Sequence, residues 1–115
     1  MNFKSILLGA ALAVSPVFGF ADSNIKMVVG TYTDAGSQGL YSFSFDQSTG
    51  KASGITSLKV DNPSYFTFSK DGRNIYAVSE KNNATAVLNS IGYDPVNGTF
   101  AFKNSQLTHG GDPCY

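Results

Sequence analysis

Asp46-Gln47-Ser48-Thr49-Gly50-Lys51 and Asp94-Pro95-Val96-Asn97-Gly98-Thr99 read as one turn written twice, 48 residues apart. Two further stretches recur in the same order. Met27-Val28-Val29-Gly30 returns as Ile75-Tyr76-Ala77-Val78 after 48 residues, and Asn62-Pro63-Ser64-Tyr65 returns as Asp112-Pro113-Cys114-Tyr115 after 50. Three matches in register mark an internal repeat of the length found in blade-like units.

Working outward, the repeating unit is made of strands. Between Pro63 and Leu107 four runs stand out: Ser64 to Ser69, Asn74 to Ser79, Ala86 to Tyr93 and Thr99 to Lys103. Val87, Asn89, Ile91 and Tyr93 share one face, and Phe100 and Phe102 alternate with Ala101 and Lys103. In the earlier unit Tyr41, Phe43 and Phe45 alternate with Ser42 and Ser44. Period-two alternation broken by turns predicts antiparallel strands. Asp71-Gly72 supplies the tight hairpin between the first two runs, with Lys70 and Arg73 as solvated flanks.

A four-stranded meander every 48 to 50 residues predicts an all-β fold, a β-propeller. One such sheet cannot cover both of its apolar faces, and a neighbour on each side can. A β-sandwich with a chance repeat is the alternative, but it requires no matching motifs at a fixed offset. The run Ile25 to Gly30 matches the second strand of a unit, so the first sheet is expected to lack its innermost strand. On this reading the chain holds somewhat less than two blades of an incomplete ring. Alone it is expected to be inactive and poorly stable, because uncovered sheet faces and edges invite aggregation.

Residues 1–21 are set apart as a leader. Lys4 gives a positive start, Ile6 to Val14 a short apolar core, Pro16 a helix break and Gly19-Phe20-Ala21 small residues at the positions a signal peptidase reads. The apolar core is shorter than the roughly 20 residues of a spanning helix. An exported protein, periplasmic or secreted, is therefore expected, with residues 22–115 as the mature part and no membrane association after cleavage. No Cys follows the cleavage point to accept a lipid.

Composition narrows the function. The chain of 115 residues has formal net charge +0 and only 14% charged residues, and its basic residues are scattered. That excludes the basic stripe that neutralises nucleic-acid phosphates. There is no Gly-x-x-x-x-Gly-Lys loop, no Cys-x-x-Cys and no His-Glu-x-x-His, so no nucleotide cofactor or metal is expected. Cys114 is the single cysteine. It cannot form an internal disulfide and is expected as a small buried residue on a strand.

The motifs, taken in order, resemble the opening of the lactonase family of seven-bladed propellers, which includes the propeller-type 6-phosphogluconolactonases. Those motifs are Gly30-Thr31-Tyr32-Thr33, Gly39-Leu40-Tyr41, Asn62-Pro63-Ser64-Tyr65, Ser69-Lys70-Asp71-Gly72-Arg73, Ile75-Tyr76-Ala77-Val78-Ser79-Glu80 and Gly111-Asp112-Pro113-Cys114. The resemblance implies a sugar-lactone hydrolase that needs no metal or organic cofactor, has a small sugar lactone as partner and is a monomer when complete. A related propeller closes a lactone ring on a muconate, so a cycloisomerase is one alternative. A non-catalytic propeller that binds a glycan or a protein is another.

The family's catalytic candidates, an Arg and a His in Gly-Pro-Arg-His and a Glu in a following Asn-Glu, belong to a later blade. The equivalent positions here read Pro113-Cys114-Tyr115, and Ser79-Glu80 takes the Asn-Glu place of an earlier blade. Lactone hydrolysis needs a base to activate water and donors for the oxyanion. His109 is the only histidine; it could act as that base, and its plain reading is a solvated turn residue. Glu80 could bind a sugar hydroxyl if it sits near the channel, or be a solvated strand end. Tyr65 is expected to pack between blades, with the channel face as its functional alternative. Asn62 is a weak substrate-binding candidate. Like Asp112 it precedes proline, so extended geometry and a turn-capping role are expected.

Overall fold

A computed structural model of the chain describes residues 22–114. The leader reading of residues 1–21, and Tyr115, lie outside the described residues. Seven strands form: β1 (Asn24–Gly30), β2 (Gly39–Asp46), β3 (Lys51–Lys59), β4 (Phe66–Phe68), β5 (Asn74–Ser79), β6 (Val87–Asp94) and β7 (Thr99–Leu107). They make a three-stranded sheet, β1-β2-β3, and a four-stranded sheet, β4-β5-β6-β7, each in chain order. All pairings are antiparallel. As the phase of the repeat predicts, the first sheet has no counterpart of β4 among the described residues.

The repeat holds at the level of single hydrogen-bonded pairs. Val29 faces Tyr41 in the first sheet, and moving both by 48 gives Ala77 and Asn89, which face each other in the second. The same shift carries Asp46–Lys51 onto Asp94–Thr99. A one-residue slip even recurs in the same place, between Ser42 and Ser44 of β2 and between Ser90 and Ile91 of β6.

The two aspartate turns are equally alike. Gly50 N–H donates to Asp46 O at 2.8 Å and Gly98 N–H to Asp94 O at 2.7 Å, with φ of 70° and 69° at the glycines. Oδ1 of each aspartate accepts from the backbone two residues on, Ser48 N at 2.8 Å and Val96 N at 2.9 Å. The second carboxylate oxygen takes Thr49 Oγ1 at 2.8 Å or Asn97 Nδ2 at 2.7 Å. These bonds favour the ionised form. They hold Asp46 at about 2, first through the Ser48 hydroxyl and then the Thr49 hydroxyl. Asp94 is held below the ordinary value mainly by the Asn97 carboxamide.

The core lies where the two sheets meet face to face. Leu40 of the first sheet and Val60, just after β3, join Ile75, Ala77, Ile91 and Tyr93 of the second, with Val28, Leu58, Phe66 and Phe100 partly buried against them. Fully burying side chains such as Leu40, Ile75 and Ile91 contributes about 1.5–3 kcal/mol each. Ser42 Oγ and Tyr93 OH share a buried hydrogen bond of 2.9 Å across the interface. Thr56 Oγ1 donates to Gly98 O between the same sheets. Gly98 sits so close that a Cβ there would lie 2.9 Å from Ser42 Oγ. Further along, a Cβ on Gly30 would fall 2.2 Å from Pro63 O, so only glycine lets the β3–β4 connection cross the end of β1.

Several expectations are corrected. The run beginning at Ser64 joins the ladder only at Phe66, because Pro63 has no N–H to donate and Ser64 N–H turns back to Asn62 O at 2.8 Å. The third run spans Val87–Asp94 in place of Ala86–Tyr93. The fourth reaches Leu107, not Lys103; polar Asn104, Ser105 and Gln106 pair with Ser90, Asn89 and Leu88 past the slip. Asn62 and Asp112 adopt φ of 42° and 52°, left-handed where extended backbone was expected. Asn and Asp tolerate that region; Asn62 is held there with its side chain bonded to Thr33 and Glu80, and Asp112 with its N–H on Lys81 O at 2.8 Å. Cys114 is exposed, not buried, and residues 111–114 carry no strand.

Candidate functional site

Strand direction gathers the candidates at one end of the sheets. Glu80 follows the last residue of β5. Tyr65 precedes β4, whose first residue Phe66 faces Ala77 near the same end. His109 follows β7, whose last residue Leu107 faces Val87, which in turn faces Ser79. Asn62 bonds directly to Glu80. At the far end, about 20 Å away along a six-residue strand at 3.3 Å per residue, stand Lys70 and Arg73. Both are exposed on the Ser69–Asn74 hairpin, as expected. A groove of about 700 Å³ lined by Arg73, Tyr93, Asp94 and Asn97 also belongs to that far end, and none of the four candidates lines it.

The near end is built around Asn62. Its Oδ1 accepts from Thr33 N and Thr33 Oγ1, both at 2.9 Å. Its Nδ2 donates to Glu80 O at 3.2 Å, and Glu80 N–H returns a bond to Asn62 O at 3.0 Å. One carboxamide thus ties the loop after β1 to the end of β5. Beside it Tyr32 OH donates to Glu80 Oε2 at 3.0 Å. The carboxylate pushes the Tyr32 hydroxyl above its ordinary 10.0, first through that bond and then through its charge, so the phenol remains a donor. The Ser64 hydroxyl also reaches Tyr32. Lys81 Nζ is held 2.9 Å from Asp61 Oδ2. Gly111 crosses against the backbone of Asn82 and Asn83.

Tyr32 and Glu80 are 48 residues apart, so they hold the same place in successive repeats. Their 3.0 Å contact joins equivalent positions of the two sheets at this end.

A model of the family described as "Lactonase, 7-bladed beta-propeller" matches residues 26–115. The chain belongs to this family. The 6-phosphogluconolactonase of Bacillus subtilis (strain 168) is 33% identical over 88 residues, which cover 76% of this chain and 25% of that protein. A candidate 6-phosphogluconolactonase of Bacteroides uniformis has a crystal structure matching with TM-score 0.75 at 44% identity, over 81% of this chain and 27% of the other. The periplasmic gluconolactonase PpgL of Pseudomonas aeruginosa matches with TM-score 0.71 at 30% identity, over 79% of this chain and 27% of the other. The chain thus spans about a quarter of the length of the relatives it matches.

Within the lactonase propeller the two sheets are blades, and the four candidates fare differently. Asn62 and Glu80 are joined through the bonds above. Tyr65 is 44% exposed instead of packed between blades, and its carbonyl accepts from Val78 N–H at 3.1 Å. His109 is exposed on the turn after β7 with φ of 57°, on the outer strand's side of the sheet and two strand spacings, about 10 Å, from β5. Sequence reasoning assigned no role to Tyr32 or Thr33. Their signal was present in the repeat offset, since Tyr32 aligns with Glu80 and Thr33 with Lys81. Among the described residues no group of three or more His, Cys, Asp or Glu could hold a metal ion, and no helix is long and apolar enough to cross a membrane.

Proposed function

We propose that this protein hydrolyses the ring ester of a sugar lactone, with gluconolactone and its 6-phosphate as the first substrates to test. The observation that supports the reading is membership of the lactonase family across residues 26–115, reinforced by relatives named for 6-phosphogluconolactonase and gluconolactonase. In the reaction a water oxygen attacks the lactone carbonyl while a base takes its proton. The tetrahedral oxyanion collapses, the ring C–O bond breaks, and the ring oxygen takes the proton back from the base to leave as a hydroxyl. The product is an open hydroxy acid.

The part assigned to this chain is binding at the channel mouth. Asn62 holds Thr33 and Glu80 in place, and Glu80, which accepts from Tyr32 OH, keeps lone pairs for a ligand's donors. The base and the oxyanion donors are assigned to other blades, in keeping with the family resemblance. His109 is the alternative base from this chain. The leader pattern at residues 1–21 and the periplasmic relative support export. Titrating acid release by the intact protein with δ-gluconolactone and with its 6-phosphate tests the reading. A rate above spontaneous ring opening on either is expected, and none on both would overturn it.

A further inference from the structure

The Tyr32–Glu80 pair has features that a simple contact between blades does not need. Tyr32 is 56% exposed although its hydroxyl is anchored, so part of its ring surface is open beside Glu80. Glu80 is half-buried, and its backbone is fixed on both sides by Asn62. It has no cationic partner among the described residues, since the neighbouring Lys81 is engaged by Asp61. A fixed carboxylate with free lone pairs accepts hydrogen bonds from hydroxyl groups, and an open phenol ring offers a flat amphipathic surface for the C–H face of a sugar ring. A carboxylate without a cation also repels a phosphate dianion at short range.

We infer that Tyr32 and Glu80 form a subsite for an uncharged, polyhydroxylated sugar ring, Glu80 accepting from its hydroxyls and Tyr32 stacking beneath it. The subsite rests on the proposed lactone reading and narrows it to the unphosphorylated substrate. The two residues are specificity-determining: they set how tightly the ring is held and which ring is preferred, and the chemistry proceeds elsewhere in the channel.

The test uses the intact protein, kinetics on both lactones, and calorimetric binding of glucono-1,5-lactam, an isostere that is not hydrolysed. Glu80→Gln is expected to raise KM for δ-gluconolactone about tenfold, the loss of one charge-assisted hydrogen bond, with a smaller change in kcat. It should also shift the preference toward the 6-phosphate. Tyr32→Ala is expected to weaken lactam binding at least as much. Tyr32→Phe, which keeps the ring, should weaken it less and guards against a folding defect in the alanine variant. Val96→Ser, on an 81% exposed turn residue at the far end, should change nothing. Hydrolysis with unchanged KM, lactam affinity and substrate preference in Glu80→Gln and both Tyr32 variants would overturn the subsite and leave the lactonase reading standing. Lactam binding that depends on Tyr32 and Glu80 without any hydrolysis would do the reverse.

Discussion

Leu40 and Leu88 are the same residue at the same place in successive blades, 48 positions apart, and only one of them is covered. Leu40 is 0% exposed because its face of the first sheet meets the second, whereas Leu88 on the corresponding face of the second sheet is 43% exposed. The complementary face repeats the contrast. Ile91 and Tyr93 are buried against the first blade, while Ile25, Val29 and Ile55 on the outward side of that blade are 42%, 37% and 64% exposed. The interface is therefore head-to-tail: each blade carries two different patches, and the contact between blades joins one of each. Local sequence makes the sheet, and the neighbour makes it stable.

Substitutions in the intact protein can break or sharpen this comparison. The largest effect is expected at Gly30, whose repeat partner is Val78. Gly30→Val would drive a side chain into Pro63 O, and a loss of about 3 kcal/mol or outright failure to fold is expected in denaturant unfolding. Leu40→Ala should cost about 3 kcal/mol through the lost burial and the cavity left behind. In a seven-bladed ring a further blade covers the Leu88 face, so Leu88→Ala should cost about as much as Leu40→Ala; a loss under about 1 kcal/mol would show that this face stays open. Tyr93→Phe removes the buried bond to Ser42 and should cost about 1 kcal/mol. The first blade already has Phe45 at that position, so the bond belongs to this interface and not to the repeat.

The smallest expected effect concerns acid. Asp46 titrates near 2 in the folded chain, below its ordinary 3.8. A depressed folded value means that the turn's contribution is fully present above the unfolded value and fades as pH falls from about 4 toward 2. Asp94 shifts in the same direction. Asp46→Asn keeps an acceptor at the turn and removes the titration. Its melting temperature should therefore fall less steeply than the parent's between pH 5 and pH 2.

Much of the fold was legible because the repeat writes its turns in residues with few alternatives. Asp46 to Gly50 and Asp94 to Gly98 both run from Asp to Gly over five residues, and their agreement sets the strand phase and the missing inner strand. What stayed hidden was set by partners distant in sequence. The polar end of β7, Asn104 to Gln106, shows no apolar alternation, and only pairing with β6 makes it a strand. The left-handed Asn62 overrides the preference of a residue before proline, because its side chain bridges Thr33 and Glu80. Glu80 is legible as a candidate from its family position, whereas Tyr32 stands out only as part of a motif. The signal that would have exposed it was the 48-residue offset itself, applied to side chains as well as to turns.

Contacts between the two sheets in solution can be read directly by nuclear Overhauser spectroscopy on the isotope-labelled protein. Cross-peaks from the Tyr93 ring to Ser42 and from Gly98 to Lys26, residues of opposite sheets, are expected alongside the ladder contacts within each sheet. Intact ladders in both sheets with no cross-peak between Tyr93 and β2 would contradict the account.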